Sequence, residues 1–344
     1  VHGHRLTARN LKECRALLKN NTFDVVHNNM PENLLPLYFA KKANVPVRIL
    51  HAHNNYRANW KRKNLLMQKA FAAGFALNAA QATHLIAVSR VAAESAFGAK
   101  RAQQAFLLPN AIDVRHFAFN KEMREKMRSE LEINNRVCLG HVGRYENDAK
   151  NQEFVLHVFR DYLAVNPQAH LLMIGDGPLR GQYEELARDL DIKGQVTFTG
   201  ALKNVADYLQ AMDVFLLPSR KEGFGIVALE AQACGLPCLV STQVPQEVAA
   251  TSLVRFLDID QGTEEWVNAL ASILASAPEP SQAASPSSDP TTEQTSSSTS
   301  SPAYLKQNTG SRLDFNQQVL QAGYDITQNA SLLSNLYRKG QFTA

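Results

Sequence analysis

The 344 residues are 45% hydrophobic and 20% charged, which excludes a disordered or fibrous chain and gives enough length for two cores of ordinary domain size. The net charge of +4 hides an asymmetry. Residues 1–110 hold 16 Lys/Arg against 4 Asp/Glu, so they carry +12 and the remainder −8. Such a split suits an anionic partner, nucleic acid or the cytoplasmic face of a membrane, with a merely solvated basic face as the plain alternative.

In chain order, a helix-like segment at Leu6–Lys19 precedes short β-rich runs at Phe23–His27, Pro46–Leu50, His84–Val88 and Ala105–Leu108. Amphipathic or alanine-rich stretches separate them, an alternation that predicts βαβ units. After a polar helix at Lys121–Leu131 the pattern restarts with Val137–Val142, His170–Ile174, Val196–Thr199, Val214–Leu217 and Cys238–Val240. The fold class expected is α/β, with two Rossmann-like parallel-sheet units in tandem, residues 1–120 and 121–344, meeting near 118–136. A doubly wound unit usually opens on a strand and its ligand-binding turn, so the first unit is expected to be incomplete at its start. Of the 28 residues 276–303, 19 are Ser, Thr or Pro and none is apolar beyond alanine, which predicts a disordered insertion inside the second unit. Helical apolar spacing then returns over about 313–337.

Cys14, Cys138, Cys234 and Cys238 form no C-x-x-C pair or zinc-spaced cluster, and the most apolar stretch, Ala70–Ala80, is too short to span a bilayer. The expectation is a cytoplasmic protein with reduced thiols, soluble or peripheral at the membrane.

The densest chemistry follows Asp213–Ser219, which reads as a buried strand leading into Arg220–Ala231. Gly223 and Gly225 let backbone approach a ligand, and a helix starting at Ile226 offers unpaired N–H groups to phosphate. Glu222 and Glu230 flank that anion site. Carboxylates repel a diphosphate, so their fitting role is to accept hydrogen bonds from vicinal hydroxyls, as on a sugar and a ribose. Arg144 follows the strand Val137–Gly143 with Lys150 close behind, and two cations there can neutralise a leaving group.

On these residues the chain resembles the retaining glycosyltransferase family 4, close to bacterial capsular and exopolysaccharide transferases. The resemblance spans about Phe23–Trp266 and resumes near 322–326. It includes 51–54 (HAHN), 109–113 (PNAID), 141–144 (HVGR) with Lys150 and Asn151, 175–178 (GDGP), 230–237 (EAQACGLP) and the E-x7-E pair Glu222 and Glu230. It implies a GT-B fold, two units facing a cleft, with Arg144 and Lys150 on the donor diphosphate. Glu222 would hold sugar hydroxyls, backbone at Gly223, Phe224 and Gly225 would lie against sugar and phosphates, and Glu230 would receive the ribose. A strand-end histidine near the anomeric centre matches His53, with His51 the second choice. The implied reaction moves a hexose or N-acetylhexosamine from a nucleotide diphosphate sugar to a polysaccharide or lipid-linked acceptor. It proceeds by a front-face retaining route with no metal or other cofactor and no nucleic-acid partner. The alternatives are a donor-binding remnant without transfer activity and, further off, a nucleotide-sugar epimerase.

Three signals point elsewhere and are discounted. Asp189-Leu-Asp191 and Asp258-Ile-Asp260 match the two-carboxylate metal motif, but such short matches are common. The glycines of 175–181 miss the dinucleotide fingerprint by one residue. Residues 54–69 mix Arg57, Lys61, Arg62, Lys63 and Lys69 with Trp60, Leu65, Leu66 and Met67, which suits an anionic bilayer or a solvated helix.

Overall fold

The computed structural model describes residues 8–57, 64–275, 312 and 314–341. The first sheet holds β1 (Val25–Asn28), β2 (Val47–Ala52), β3 (His84–Ala87) and β4 (Phe106–Leu107), parallel and in that order. The second holds β5 (Cys138–Val142), β6 (His170–Ile174), β7 (Val196–Gly200), β8 (Val214–Leu217), β9 (Cys238–Ser241) and β10 (Val254–Leu257). They run parallel in the order β10-β9-β8-β5-β6-β7. Every residue of β5, β6, β8 and β9 is buried, as parallel strands covered by helices on both faces must be. The order reverses between β5 and β8. That is where a doubly wound sheet opens a crevice beyond its strand ends.

The helix Lys121–Glu130 between the sheets is fastened to the second one. Arg124 and Arg128 both pair with Asp213 at the start of β8, at 2.6 and 3.3 Å, and these buried cations also donate to backbone carbonyls at 210–212. One continuous core joins the units, from Leu37, Leu50 and Ala87 to Phe215, Phe224 and Ala228.

Three expectations need amendment. The helical stretch expected at 313–337 is broken: 314–321 are helical, Gly323 turns with φ 86°, and a new helix, Ile326–Lys339, starts at the cap Asp325. That last helix does not stay with the second sheet. Its Leu332, Leu333 and Leu336 pack on Ile49, Ile86 and Leu108 of the first unit, and Asn329 donates to the Pro109 carbonyl at 2.6 Å. β10 was not anticipated. The insertion at 276–303, Leu313 and the basic run Trp60–Lys63 lie outside the described residues.

Candidate active site

The loops after β5 and β8 are tied into one wall of the crevice. Asn151, with φ 58° in the left-handed region, donates from its side chain to the Pro218 carbonyl at 3.1 Å, and Arg220 N–H donates to the Ala149 carbonyl at 2.8 Å. This brings Lys150 onto the carboxylate of Glu222, with which it forms an ion pair, and Ser219 Oγ donates to the same oxygen at 2.9 Å. Arg144 stands beside them, 78% exposed and paired to Glu146 at 3.0 Å. Asn54, Arg144, Lys150, Glu222 and Gly223 line one small cleft here. Beneath it His141 is fully buried, bonded through Nδ1 to the Leu216 carbonyl at 2.9 Å, and burial lowers its pKa to about 4. Neutral histidine adds no charge behind Lys150.

Gly225, with φ 98°, turns the chain into the helix Ile226–Ala233, which has no side-chain cap. Ala228 N–H is taken by the Gly225 carbonyl at 2.9 Å, which leaves the N–H groups of Ile226 and Val227 to face an anion. Glu230 sits one turn in, half-buried, and desolvation raises its pKa to about 7. Phe224 faces inward against Tyr324, ring centroids 5.9 Å apart, so only the backbone of Phe224 can meet a ligand. Gly223 closes the gap between the units. A Cβ there would lie 1.9 Å from the His53 carbonyl oxygen, and Ser89 Oγ from the first unit donates to the Gly223 carbonyl at 2.7 Å.

The structure brings Lys150, Glu222, Gly223 and Arg144 to one place, with the His53 backbone carbonyl against Gly223 and with Gly225 and Glu230 along the adjoining helix. It also separates the two histidine candidates: the His53 ring is half-buried beside Asn29, whereas His51 is 6% exposed and packs against it, rings 4.0 Å apart.

The two aspartate pairs fall away from the cleft. Asp189 and Asp191 lie between the helix Arg180–Asp189 and the start of β7, at the opposite end of the sheet from the strand C-termini. Asp258 and Asp260 follow β10, three strands from β5, roughly 14 Å at ordinary strand spacing. Gly175 and Gly177 are glycines because their Cβ positions fall 1.9 Å from the Gly143 carbonyl oxygen and 2.6 Å from the Tyr145 backbone. They let two loops touch. Sequence reasoning did not single out Ser219, Asn29 or His27. Ser219 alone carried a local signal, a hydroxyl three residues before Glu222.

Two parallel-sheet units sharing such a cleft, with an anion-ready helix N-terminus at the strand-order reversal, define a glycosyltransferase of the GT-B class. The family described as Glycosyl transferases group 1 matches residues 123–285, and that described as Glycosyltransferase Family 4 matches residues 2–116. The putative glycosyltransferase EpsF of Bacillus subtilis is 30% identical over 94% of this chain and 76% of its own length. An Escherichia coli enzyme named as a UDP-Gal:alpha-D-GlcNAc-diphosphoundecaprenol alpha-1,3-galactosyltransferase is 28% identical over 65% of this chain and 59% of its own. Among solved structures, HepE of Anabaena in complex with UDP superposes with a TM-score of 0.70 at 16% identity, over 95% of this chain and 81% of that one. The chain belongs to glycosyltransferase family 4.

Proposed function

We propose that this glycosyltransferase moves a hexose or N-acetylhexosamine, with retention, from a nucleotide diphosphate sugar to a polysaccharide or lipid-linked acceptor. The observation that carries the reading is the Lys150–Glu222 pair beside Arg144 at the strand-order reversal. Arg144 and Lys150 supply positive charge that neutralises the negative charge growing on the departing diphosphate, so that the reaction runs without a metal. Glu222, already shaped by Lys150 and Ser219, accepts hydrogen bonds from sugar hydroxyls. Glu230 takes the ribose diol, and backbone at Gly223, Phe224 and Gly225 faces the sugar and phosphates. His53 lies across from Gly223, on the acceptor side. The nucleotide in the HepE complex is UDP, and the name of the E. coli relative gives a lipid diphosphate acceptor; both support the donor and acceptor classes proposed. The enzyme works at the cytoplasmic face of the membrane, where a lipid-linked acceptor is found.

The test is a thermal-shift panel of nucleotide sugars followed by transfer assays with the donor selected. Glu222→Ala should chiefly lower turnover and Glu230→Ala chiefly nucleotide affinity, by roughly tenfold or more, the worth of a charged hydrogen bond. EDTA should leave activity nearly intact. Activity abolished by chelation and restored by Mn²⁺, or nucleotide affinity unchanged in Glu230→Ala, would overturn the reading.

A further inference from the structure

Behind the cleft three histidines from two neighbouring strands form a column. His27 on β1 and His51 on β2 meet Nε2 to Nδ1 at 3.2 Å with rings nearly parallel, 17° apart, and the His51 ring packs on that of His53. Each end has a polar anchor. At the far end His27 Nδ1 lies 2.6 Å from the hydroxyl of Tyr337, on the last helix of the chain. At the cleft end His53 Nε2 lies 3.0 Å from Asn29 Oδ1, just after β1.

The hydrogen bonds fix where the protons sit. A neutral imidazole has one N–H and one lone pair. His51 Nε2 is buried and has no partner among the described residues. A buried N–H without an acceptor is rarer than an unmatched lone pair, so the His51 proton is on Nδ1 and is donated to His27 Nε2. His27 therefore has its proton on Nδ1 and donates it to the Tyr337 oxygen. Asn29 Oδ1 only accepts, so the His53 proton is on Nε2 and its Nδ1 keeps a lone pair. Burial first, then repulsion from the neighbouring histidines, keeps a second proton off the column, with His27 lowered to about 4 and His51 to about 2.

The geometry points to a positioning array: Asn29 sets the tautomer of His53, and Tyr337, acting through His27 and His51, locks the ring against which His53 packs. The last helix, far from the cleft in sequence, thereby takes part in presenting a hydrogen-bond acceptor, His53 Nδ1, to a hydroxyl group. This rests on the reading of His53 as the cleft histidine of the transfer reaction. Asn29 and Tyr337 are positioning residues and need not touch substrate.

The experiment is ¹⁵N–¹H correlation spectroscopy of imidazole-labelled protein, with assignments from single histidine substitutions. Wild type should show Nε2–H for His53 and Nδ1–H for His27 and His51. Asn29→Leu should turn His53 into a mixture of tautomers and leave His51 as it was. Asn29→Asp, which keeps an acceptor oxygen, should restore the Nε2–H form. Tyr337→Phe should release His27 and His51 into tautomer mixtures and lower kcat about three- to tenfold, the worth of one hydrogen bond, with donor KM nearly constant. A tyrosine that only anchors its helix would lower Tm in Tyr337→Phe and leave the tautomers and kcat as in wild type, which overturns the proposal. So does a wild-type His53 protonated on Nδ1. Unchanged turnover in His53→Ala would instead remove the reading of His53 while the tautomers stood as found, so the two failures are distinguishable.

Discussion

Glu230, proposed above to take the ribose diol, is held in the fold at a cost to stability. Burial raises its pKa to about 7, whereas in the unfolded chain it titrates near 4.3. The folded state thus holds the proton more tightly, and stability is lost as pH rises from about 4.5 through 7. Glu230→Gln should therefore raise Tm at pH 8, by roughly 1–2 °C for each kcal/mol recovered in a protein of this size, and change it little at pH 5. A diol donates more strongly to the carboxylate than to the neutral acid, which keeps only part of the acceptor capacity. The same substitution should weaken nucleotide binding, and in wild type that affinity should decline as pH drops below about 7. Scanning calorimetry at the two pH values, paired with nucleotide titration, checks both signs; a Tm lowered at pH 8 would mean that Glu230 has stabilising partners in the fold.

Among the elements, the turn between β8 and the helix Ile226–Ala233 joins the units as well as being the one proposed to face the donor. Because a Cβ on Gly223 would overlap the His53 carbonyl, which is backbone and cannot swing away, Gly223→Ala should force the units apart. Nucleotide affinity, which belongs to the second unit, should survive within a few-fold while turnover is lost. Small-angle scattering should show a larger radius of gyration, and an unchanged radius with normal turnover would remove the closure role. This turn was legible in the sequence because Gly223, Gly225 and both glutamates lie within a few residues of one buried strand. The strands were legible for a related reason, since β8 is apolar throughout and β5, β6 and β9 each carry a single polar side chain. β10 escaped because Arg255 interrupts its four residues and only Leu257 is buried, the mark of an edge strand. The break at Gly323 escaped because apolar spacing continues across it. Asn29, His27 and Tyr337 escaped because nothing local distinguishes them: their partners lie 24 to 310 positions away, and only folding brings them together.

For the whole molecule the charge is the dominant feature of the first unit, at +12 over residues 1–110. No helix among the described residues is long and apolar enough to cross a membrane. The helix Leu65–Ala79 suits contact with a bilayer surface. It has no acidic residue, buries Phe75, Asn78 and Ala79, and leaves Leu65 65% and Leu66 78% exposed, with Met67, Phe71 and Leu77 also outward. Lys69 lies among them. Apolar side chains beside a cationic surface favour an anionic bilayer twice, through burial and through attraction of about 1 kcal/mol per basic residue near the headgroups. The attraction decays over a Debye length of about 8 Å at physiological salt and about 3 Å at 1 M. The protein should therefore sediment with vesicles containing anionic lipid at low salt and leave them as salt is raised. Leu66→Glu should weaken sedimentation at every salt concentration without altering nucleotide affinity, since the helix lies in the first unit and Glu230 in the second. Equal binding to neutral and anionic vesicles would eliminate the charge as a cause, and wild-type binding by Leu66→Glu would eliminate the helix.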